Sequence, residues 1–286
     1  MDENDRQAPK IAEDYAALTP DTLLDAVESC GYLSDGRFLA LNSYENRVYQ
    51  IGIEDSEPLI AKFYRPSRWS NEAILEEHAF AQELADSEIP VVAPLTREGV
   101  TLHTYSGYRF ALYPRQGGHW PELNSREDRE WIGRFIARIH AVGTTRDFRH
   151  RPVLDVDSFG YRPSRYLLES GFIPAHIENA YETLAEDLLE RVAATFDTLD
   201  SVKRIRLHGD CHPGHIHWTR DGPHILEQED CRTAPAVQDL SMLWSGARQE
   251  MQPQLIEIME GYLQFSDFDH RELLLIEPLR TLRIIH

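Results

Sequence analysis

The fold is indicated most strongly by the stretch Leu207-His208-Gly209-Asp210-Cys211-His212-Pro213-Gly214-His215. A strand-like segment leads into it, a short apolar run follows, and the next strand ends in Glu227-Gln228-Glu229-Asp230. Gly209 permits a tight turn. Asp210 is therefore presented on a loop, with further carboxylates at a nearby strand end. Phosphoryl transfer uses this arrangement, because one carboxylate can deprotonate a hydroxyl while another holds a divalent metal ion on the phosphates.

The composition is that of an acidic globular protein, with 286 residues, 42% hydrophobic side chains and a formal net charge of −19. A chain of this size can bury a sizeable core. Its negative surface repels phosphate backbones and anionic lipid, so we expect neither nucleic acid nor a membrane as a partner. The polar start, residues 1–5, lacks a signal-peptide pattern, and no long apolar run occurs. Three widely spaced cysteines fit free thiols, so a cytoplasmic location is predicted.

The first half of the chain is predicted to consist of strands with one helix. Residues 37–41, 47–52 and 59–64 have strand-like content, and the polar turn 42–46 joins the first two. Residues 101–105 and 108–113 predict a hairpin that turns at Ser106-Gly107.

The helix of this first half is predicted over residues 71–84, with Ser70 as its N-cap. Its apolar stripe is made of Ile74, His78, Phe80 and Leu84.

A change in composition at the breaker cluster Pro114–Gly118 predicts a domain boundary. Beyond it, Ser125 caps a helix, Pro174 opens a longer one, and helices return from about Val237. The stripe expected to be buried on the longer helix is Ile177, Tyr181, Leu184, Leu188, Val192 and Phe196. Short strands are predicted near 204–207, 216–218 and 225–226. We therefore predict an α+β, two-lobed plan, with a β-rich N-lobe over 1–115 and a mainly helical C-lobe over 116–286. The cleft between two lobes is the expected small-molecule site.

Lys62 stands in the middle of a predicted apolar strand, and a helix carrying Glu76 and Glu77 follows. A surface lysine that extends its charge into solvent would explain Lys62 taken alone. Together with the Asp210 loop, it predicts a lysine that holds phosphates as a point charge, kept in place by a helix glutamate.

Five motifs recur in a fixed order along the chain: Asn42-Ser43-Tyr44-Glu45-Asn46-Arg47-Val48-Tyr49, Lys62-Phe63-Tyr64-Arg65-Pro66, Ile74-Leu75-Glu76-Glu77-His78, Leu207-His208-Gly209-Asp210-Cys211-His212, and Gly222-Pro223 followed by Ala234-Pro235-Ala236-Val237-Gln238-Asp239-Leu240. In these motifs the chain resembles the stress response kinase A family, bacterial cytosolic Ser/Thr protein kinases of the aminoglycoside phosphotransferase and choline kinase-like superfamily. The resemblance extends from about residue 19 to the end.

This resemblance implies a protein-kinase-like fold, ATP with Mg²⁺ as cofactors, and a role for each matching residue. Asp210 corresponds to the catalytic base and Asp239 to a buried aspartate that braces the catalytic loop. Lys62 corresponds to the lysine on the α- and β-phosphates, and Ser43 to a serine in the nucleotide-covering loop. Glu77 is the chosen partner of Lys62, with Glu76 as the alternative.

Two positions depart from the family pattern at the expected metal site. His215 replaces an asparagine, and Glu227 replaces the metal-binding aspartate of the strand end, where Gln228 also replaces an apolar residue. We predict His215 and Glu227 as the metal ligands, with Glu227 also contributing to catalysis. Mg²⁺ prefers oxygen ligands in a tight octahedron, whereas a histidine nitrogen suits Mn²⁺ or Zn²⁺. The departures therefore predict Mn²⁺ as a possible metal and weakened or lost catalysis. The chain also ends at His286, earlier than the family pattern, so a closing helical segment is expected to be missing.

Three alternatives remain open from the sequence. The crowded histidines His208, His212, His215 and His217 are compatible with a zinc metallohydrolase that also uses Asp210. The altered metal positions are compatible with a non-catalytic, nucleotide-binding module. The fold also hosts kinases for small hydroxyl-bearing substrates, so the acceptor is either a protein Ser/Thr or a small molecule.

Overall fold

The computed structural model describes residues 15–199, 201–244, 246 and 248–285. The chain divides into two compact units, the first ending at Gly118 and the second beginning at His119. Across the described residues, every helix is too short or too polar to cross a lipid bilayer.

The first unit is built on an antiparallel sheet. Its strands are β1 (Ser34–Leu41), β2 (Arg47–Ile53), β3 (Leu59–Phe63), β4 (His103–Tyr105) and β5 (Tyr108–Pro114), in the order β1-β2-β3-β5-β4. The predicted strands and the hairpin at Ser106-Gly107 are confirmed. Ser106 and Gly107 both have positive φ, 47° and 83°, as the favoured two-residue hairpin turn requires.

Helices cover both faces of this sheet. Helix α1 (Pro20–Ser29) packs Leu23 into a cluster that contains Phe63 and Phe110, whose rings stack 5.2 Å apart. Helix α2 (Asn71–Asp86) packs Ile74 into a second cluster with the next residues along the strands, among them Ala111. Successive strand residues point to opposite faces, so the two helices lie on opposite sides of the sheet.

The helix ends follow from their caps. Ser70 Oγ accepts a hydrogen bond from the amide of Ala73 at 3.1 Å, which confirms the predicted start of α2. Helix α1 was not predicted, although Thr19 at its N-cap and Pro20 at its first position are start signals in the sequence.

The second unit is mainly helical. Its helices are α3 (Arg126–Gly143), α4 (Arg162–Glu169), α5 (Glu178–Thr198), α6 (Val237–Leu240), α7 (Arg248–Tyr262) and α8 (Ile276–Ile285), with a π-helical turn over Asp157–Tyr161 and a 3₁₀ turn over His270–Leu275. Ser125 Oγ accepts from the amide of Asp128 at 3.0 Å, as predicted for the cap of α3. The predicted α+β class is confirmed: the first part is rich in strands and the second in helices.

Short strand pairs frame the loop that follows residue 207. Strand β6 (Ile205–Leu207) pairs with β9 (Arg232–Ala234), and β7 (Ile216–Thr219) pairs with β8 (Gly222–Ile225). Gly143 lets α3 approach β6 closely, since an added Cβ there would lie 1.9 Å from the carbonyl oxygen of Arg206. The loop 208–215 and the segment 226–231 both connect one strand pair to the other, and they therefore run side by side.

The prediction for the longer helix is wrong in its start and in part of its buried face: Val192 and Phe196 are buried as predicted, and the other four predicted residues are not. Helix α5 begins at Glu178, and its buried residues are Ala185, Leu189, Val192 and Phe196. Leu184, predicted to be buried, is 58% exposed. The polar positions between the leucines permit two overlapping stripes, and contacts with the rest of the unit select the one that includes Ala185 and Leu189.

Candidate active site

Lys62 and Glu77 form a buried ion pair in the first unit. Lys62 lies on β3, opposite Val48 of β2 and Ala111 of β5. Its Nζ atom is 3.1 Å from Glu77 Oε1 on α2, and the two residues are only 4% and 3% exposed. Glu76, the alternative partner, is half-exposed on the same helix. A buried ion pair contributes little net stability because both charges lose their hydration. The burial of this pair therefore indicates that the ammonium group of Lys62 is needed in a fixed position, which Glu77 provides.

A neutral histidine lies next to this pair. His78 Nε2 contacts the hydroxyl of Tyr64 at 2.7 Å, and Nδ1 contacts Thr101 Oγ1 at 2.7 Å. Burial lowers the pKa of His78 to about 4, and the charge of Lys62 acts in the same direction. His78 is therefore neutral at neutral pH and adds no second positive charge beside Lys62.

The loop between β1 and β2 is tied to the end of β3 by its last residues. Asn46 Oδ1 accepts from the amide of Arg65 at 3.1 Å, and Glu45 pairs with the guanidinium of Arg65 at 2.9 Å. Glu45 also pairs with Arg68 at 2.5 Å. Ser43, the predicted nucleotide-covering serine, lies on this loop and is partly exposed.

In the second unit, Asp239 fixes the backbone of the loop that carries Asp210. Asp239 is fully buried, and its two oxygens accept from the amides of His208 at 2.9 Å and Gly209 at 2.8 Å. His140 Nε2 lies 3.1 Å from the same carboxylate. Burial raises the pKa of Asp239, but the hydrogen bonds from His140 and Gly209 outweigh it and hold the pKa below its usual value.

Gly209 is required by the turn itself. Its φ is 86°, and an added Cβ would lie 2.1 Å from the carbonyl oxygen of Asp230. Gln238 Nε2 donates to the Gly209 carbonyl at 3.0 Å. This close approach brings the predicted loop and the predicted strand end together, so the carboxylates of the two segments share one region of the second unit.

The carboxylate of Asp210 is partly exposed and is surrounded by cationic or ionisable groups. His212 Nε2 and His215 Nδ1 each lie 3.6 Å from Asp210 Oδ2. Arg283 Nη1 on α8 lies 3.5 Å from Asp210 Oδ1. Arg283 was not predicted as a site residue from the sequence. One signal was available, since Arg280 and Arg283 are spaced to share a helix face, but nothing local to them points to Asp210.

Among the described residues, one group is able to hold a metal ion: Asp210, His212 and His215, whose ligand atoms all lie within 4.8 Å of one another. His215 Nδ1 is 2.9 Å from the backbone oxygen of Asp210. Nδ1 therefore carries the proton and leaves the lone pair of Nε2 for a ligand. His212 has the opposite arrangement, because its Nδ1 accepts from the amide of Gly214 at 2.9 Å. His212 Nε2 is then the protonated nitrogen, and His212 becomes a ligand only if its ring turns.

Glu227, the second predicted ligand, lies outside this group but close enough for its charge to raise the pKa of His212. Burial has the larger effect and lowers the pKa of His212 overall. The neighbouring Gln228 is buried, and its Oε1 has no hydrogen-bond partner within the described part of the chain. The donor set of Asp210 oxygen and His215 nitrogen suits Mn²⁺ or Zn²⁺ better than Mg²⁺, which prefers an all-oxygen octahedron.

Comparison with known proteins places these features in a family. Residues 37–276 match the model of the phosphotransferase enzyme family, a range that includes Lys62, Glu77, Asp210 and Asp239. Stress response kinase A of Escherichia coli strain K12 is 41% identical over 272 residues, which cover 95% of this chain and 82% of that protein. The chain belongs to the stress response kinase A family of phosphotransferase enzymes.

A second relative agrees with this membership in the stress response kinase A family. Serine/threonine protein kinase RdoA of Salmonella typhimurium strain LT2 is 40% identical over 272 residues, with the same 95% and 82% shares. The structure of amicoumacin kinase hAmiN in complex with AMP-PNP and Ca²⁺ has a TM-score of 0.73 at 18% identity, over 91% of this chain and 82% of that one. That similarity shows the shared fold. The zinc metallohydrolase alternative is set aside because the family is one of phosphotransferases.

Proposed function

We propose that this chain transfers the γ-phosphoryl group of ATP to the hydroxyl of a protein Ser or Thr. The observation that most supports the proposal is the Asp210 loop, whose backbone is held by buried Asp239 while the Asp210 carboxylate stays accessible. The 41% identity to stress response kinase A and the name of the RdoA relative support a protein acceptor. The experiment is incubation with γ-labelled ATP and a generic protein substrate, scoring label on serine and threonine.

Each residue has a separate part in this proposal. Asp210 orients the acceptor hydroxyl and takes its proton as the oxygen attacks the γ-phosphorus, and ADP leaves. Lys62, held by Glu77, neutralises charge on the α- and β-phosphates, and Ser43 lies in the loop that covers the nucleotide. His215 and Glu227 would hold the divalent cation, which when bound would offset phosphate charge.

Nucleotide binding is expected to depend on the Lys62–Glu77 pair. ATP with Mn²⁺ at a hundredfold excess over Kd should stabilise the wild-type protein by about 2.7 kcal/mol. The Lys62→Met/Glu77→Gln double variant removes both charges and leaves no unpaired buried ion, so it should fold yet lose most of that thermal shift.

Melting temperatures with and without nucleotide, each compared with the same variant's own ligand-free value, provide the measurement. Glu76→Gln on the same helix is the matched control and should keep the full shift, because Glu77 rather than Glu76 is the partner at 3.1 Å. A full shift in the double variant would contradict the assignment of Lys62.

The metal preference should follow from His215. Because its Nε2 offers nitrogen, Mn²⁺ should support transfer better than Mg²⁺, and His215→Asn should move the preference towards Mg²⁺. Loss of this ligand should weaken Mn²⁺ binding by about tenfold or more, measured without turnover by electron paramagnetic resonance titration.

The control is His224→Asn on β8, the same substitution outside the metal-binding group, which should leave Mn²⁺ affinity unchanged. Equal Mn²⁺ affinity in His215→Asn and wild type would show that His215 is not a ligand.

A second candidate function is a nucleotide-binding protein without transferase activity. The nitrogen ligand at His215 favours it, as does the buried Oε1 of Gln228, which has no hydrogen-bond partner among the described residues. It predicts a normal thermal shift with ATP and no label on any acceptor under Mg²⁺ or Mn²⁺. A kinase for a small hydroxyl-bearing acceptor, in line with the name amicoumacin kinase, would instead label small compounds and leave proteins unlabelled.

A further inference from the structure

A cavity of about 230 Å³ in the second unit has a wall residue that reaches Asp210. Arg283 lines this cavity, and its Nη1 lies 3.5 Å from Asp210 Oδ1 and 3.0 Å from Met242 Sδ. The cavity therefore adjoins the carboxylate proposed to receive the acceptor's proton. Arg283 also lies outside residues 37–276, the range matched by the family model.

The walls of this cavity combine apolar side chains with two guanidinium groups. The apolar side chains in the wall are those of Phe159, Met242, Trp244 and Leu279. Arg280 is anchored on the carbonyl oxygens of Ser241 at 3.3 Å and Trp244 at 3.4 Å. The Arg283 side chain is 45% exposed. Among the described residues that line the cavity, none carries a carboxylate.

The charge of the cavity is opposite to that of the protein. The chain as a whole carries −19, which disfavours anions in general. Two arginines on one face of α8 create a local positive field beside the reacting group. Guanidinium groups recognise carboxylates and phosphates through paired, charge-assisted hydrogen bonds. The site is thus suited to an acceptor with a negative group near its hydroxyl.

The backbone that supplies Phe159 is unusual. Phe159 lies in the π-helical turn Asp157–Tyr161, directly before α4. Such turns are rare and frequently occur at functional sites. Its Gly160 packs against Leu189 of α5, where an added Cβ would lie 2.4 Å from the Leu189 side chain. The cavity wall is therefore built on a backbone feature that the packing of α5 holds in place.

We propose that this cavity recognises the acceptor, and that the acceptor is a Ser or Thr segment with an acidic residue one or two positions from the hydroxyl. The acidic group pairs with Arg283, and an adjoining apolar side chain enters the cavity. An extended chain advances about 3.3–3.6 Å per residue. An acidic residue one or two positions from the hydroxyl can therefore reach the Arg283 guanidinium, which contacts Asp210, while the hydroxyl lies at Asp210. This inference rests on the proposed kinase function and specifies its substrate.

The test uses matched fluorescent peptides with one serine flanked by aspartate, asparagine or lysine. Both transfer from ATP and equilibrium binding by fluorescence anisotropy are measured on wild type, Arg283→Gln and Arg283→Glu. Wild type should bind and phosphorylate the aspartate peptide at least about tenfold better than the asparagine peptide, as expected for a charge-assisted hydrogen bond. Arg283→Gln should remove this preference, and Arg283→Glu should favour the lysine peptide.

Arg271→Gln is the matched control, since Arg271 is an exposed arginine paired with Asp269 in the preceding 3₁₀ turn. It should keep the preference for aspartate. The peptide affinities test the proposed acceptor even if no peptide is labelled. Peptide binding without phosphoryl transfer would count against the kinase function alone. Equal affinity for the three peptides in wild type, or an unchanged preference in Arg283→Gln, would overturn the inference. Phosphorylation of a small hydroxy acid, with no peptide binding, would overturn the peptide acceptor.

Discussion

Replacing Asp210 by asparagine is expected to lower phosphoryl transfer by about 10²–10⁴-fold, the usual contribution of a general base. The amide keeps the shape of the side chain but accepts no proton from the acceptor hydroxyl. The loop backbone should persist, because Asp239 rather than the Asp210 side chain binds the amides of His208 and Gly209. The measurement is initial rate with γ-labelled ATP, together with circular dichroism and the thermal shift with nucleotide.

Asp221→Asn provides the control for this substitution. Asp221 is exposed on the turn between β7 and β8 in the same unit. Its substitution makes the same carboxylate-to-amide change outside the group of Asp210, His212 and His215. It should retain wild-type rates. Transfer at the wild-type rate in Asp210→Asn would reject the assignment of the base, whereas no transfer in the wild type itself would favour the inert nucleotide-binding alternative.

Asp239→Ala is expected to have the largest effect on stability, roughly 3–5 kcal/mol, the range found when one partner of a buried charged group is removed. The substitution leaves two buried amides, of His208 and Gly209, and the ring of His140 without their shared acceptor. Each buried donor left without a partner lowers the free energy of unfolding, because it has lost its hydration and gained no hydrogen bond in exchange. Urea denaturation followed by circular dichroism gives the free energy of unfolding.

Asp239→Asn should be intermediate. The single oxygen of the asparagine side chain keeps one hydrogen-bond acceptor. The NH2 group that replaces the other oxygen faces donors and cannot accept hydrogen bonds from them. Asp221→Ala removes an exposed carboxylate and should change stability by no more than about 0.5 kcal/mol. A loss below about 1 kcal/mol in Asp239→Ala would show that water or a rearranged side chain satisfies the loop amides, and that the brace is not needed.

The strands of the first unit and the start of α2 were predictable because their signals are local. Ser70 followed by an apolar helical pattern specifies a helix start within a few residues, and Ser106-Gly107 specifies a hairpin turn. Helix α5 shows the limit of such signals. Its sequence allows two adjacent stripes, and only the packing of Gly160 against Leu189 reveals which face is buried.

The features of the candidate site also fall into those that local sequence predicts and those that tertiary contacts determine. The carboxylate loop and the lysine on an apolar strand were recognisable because catalytic residues occur in short motifs. The pairing of Lys62 with Glu77, and not Glu76, depends on the rotation of α2 against the sheet. The tautomers of His212 and His215 depend on which backbone groups they meet, Gly214 N or Asp210 O.

Residue types and spacing thus predicted a loop suited to phosphoryl transfer around Asp210, because a tight glycine turn and a carboxylate are recognisable from a few neighbouring residues, and the family resemblance added the role of base. Tertiary structure decided what surrounds that carboxylate. Arg283 comes from the last helix of the described chain and His140 from α3, and neither has a sequence pattern that refers to residue 210 or 239. Contacts between distant segments depend on how whole helices pack against one another. Interactions within a few residues depend only on backbone geometry, which the local sequence controls.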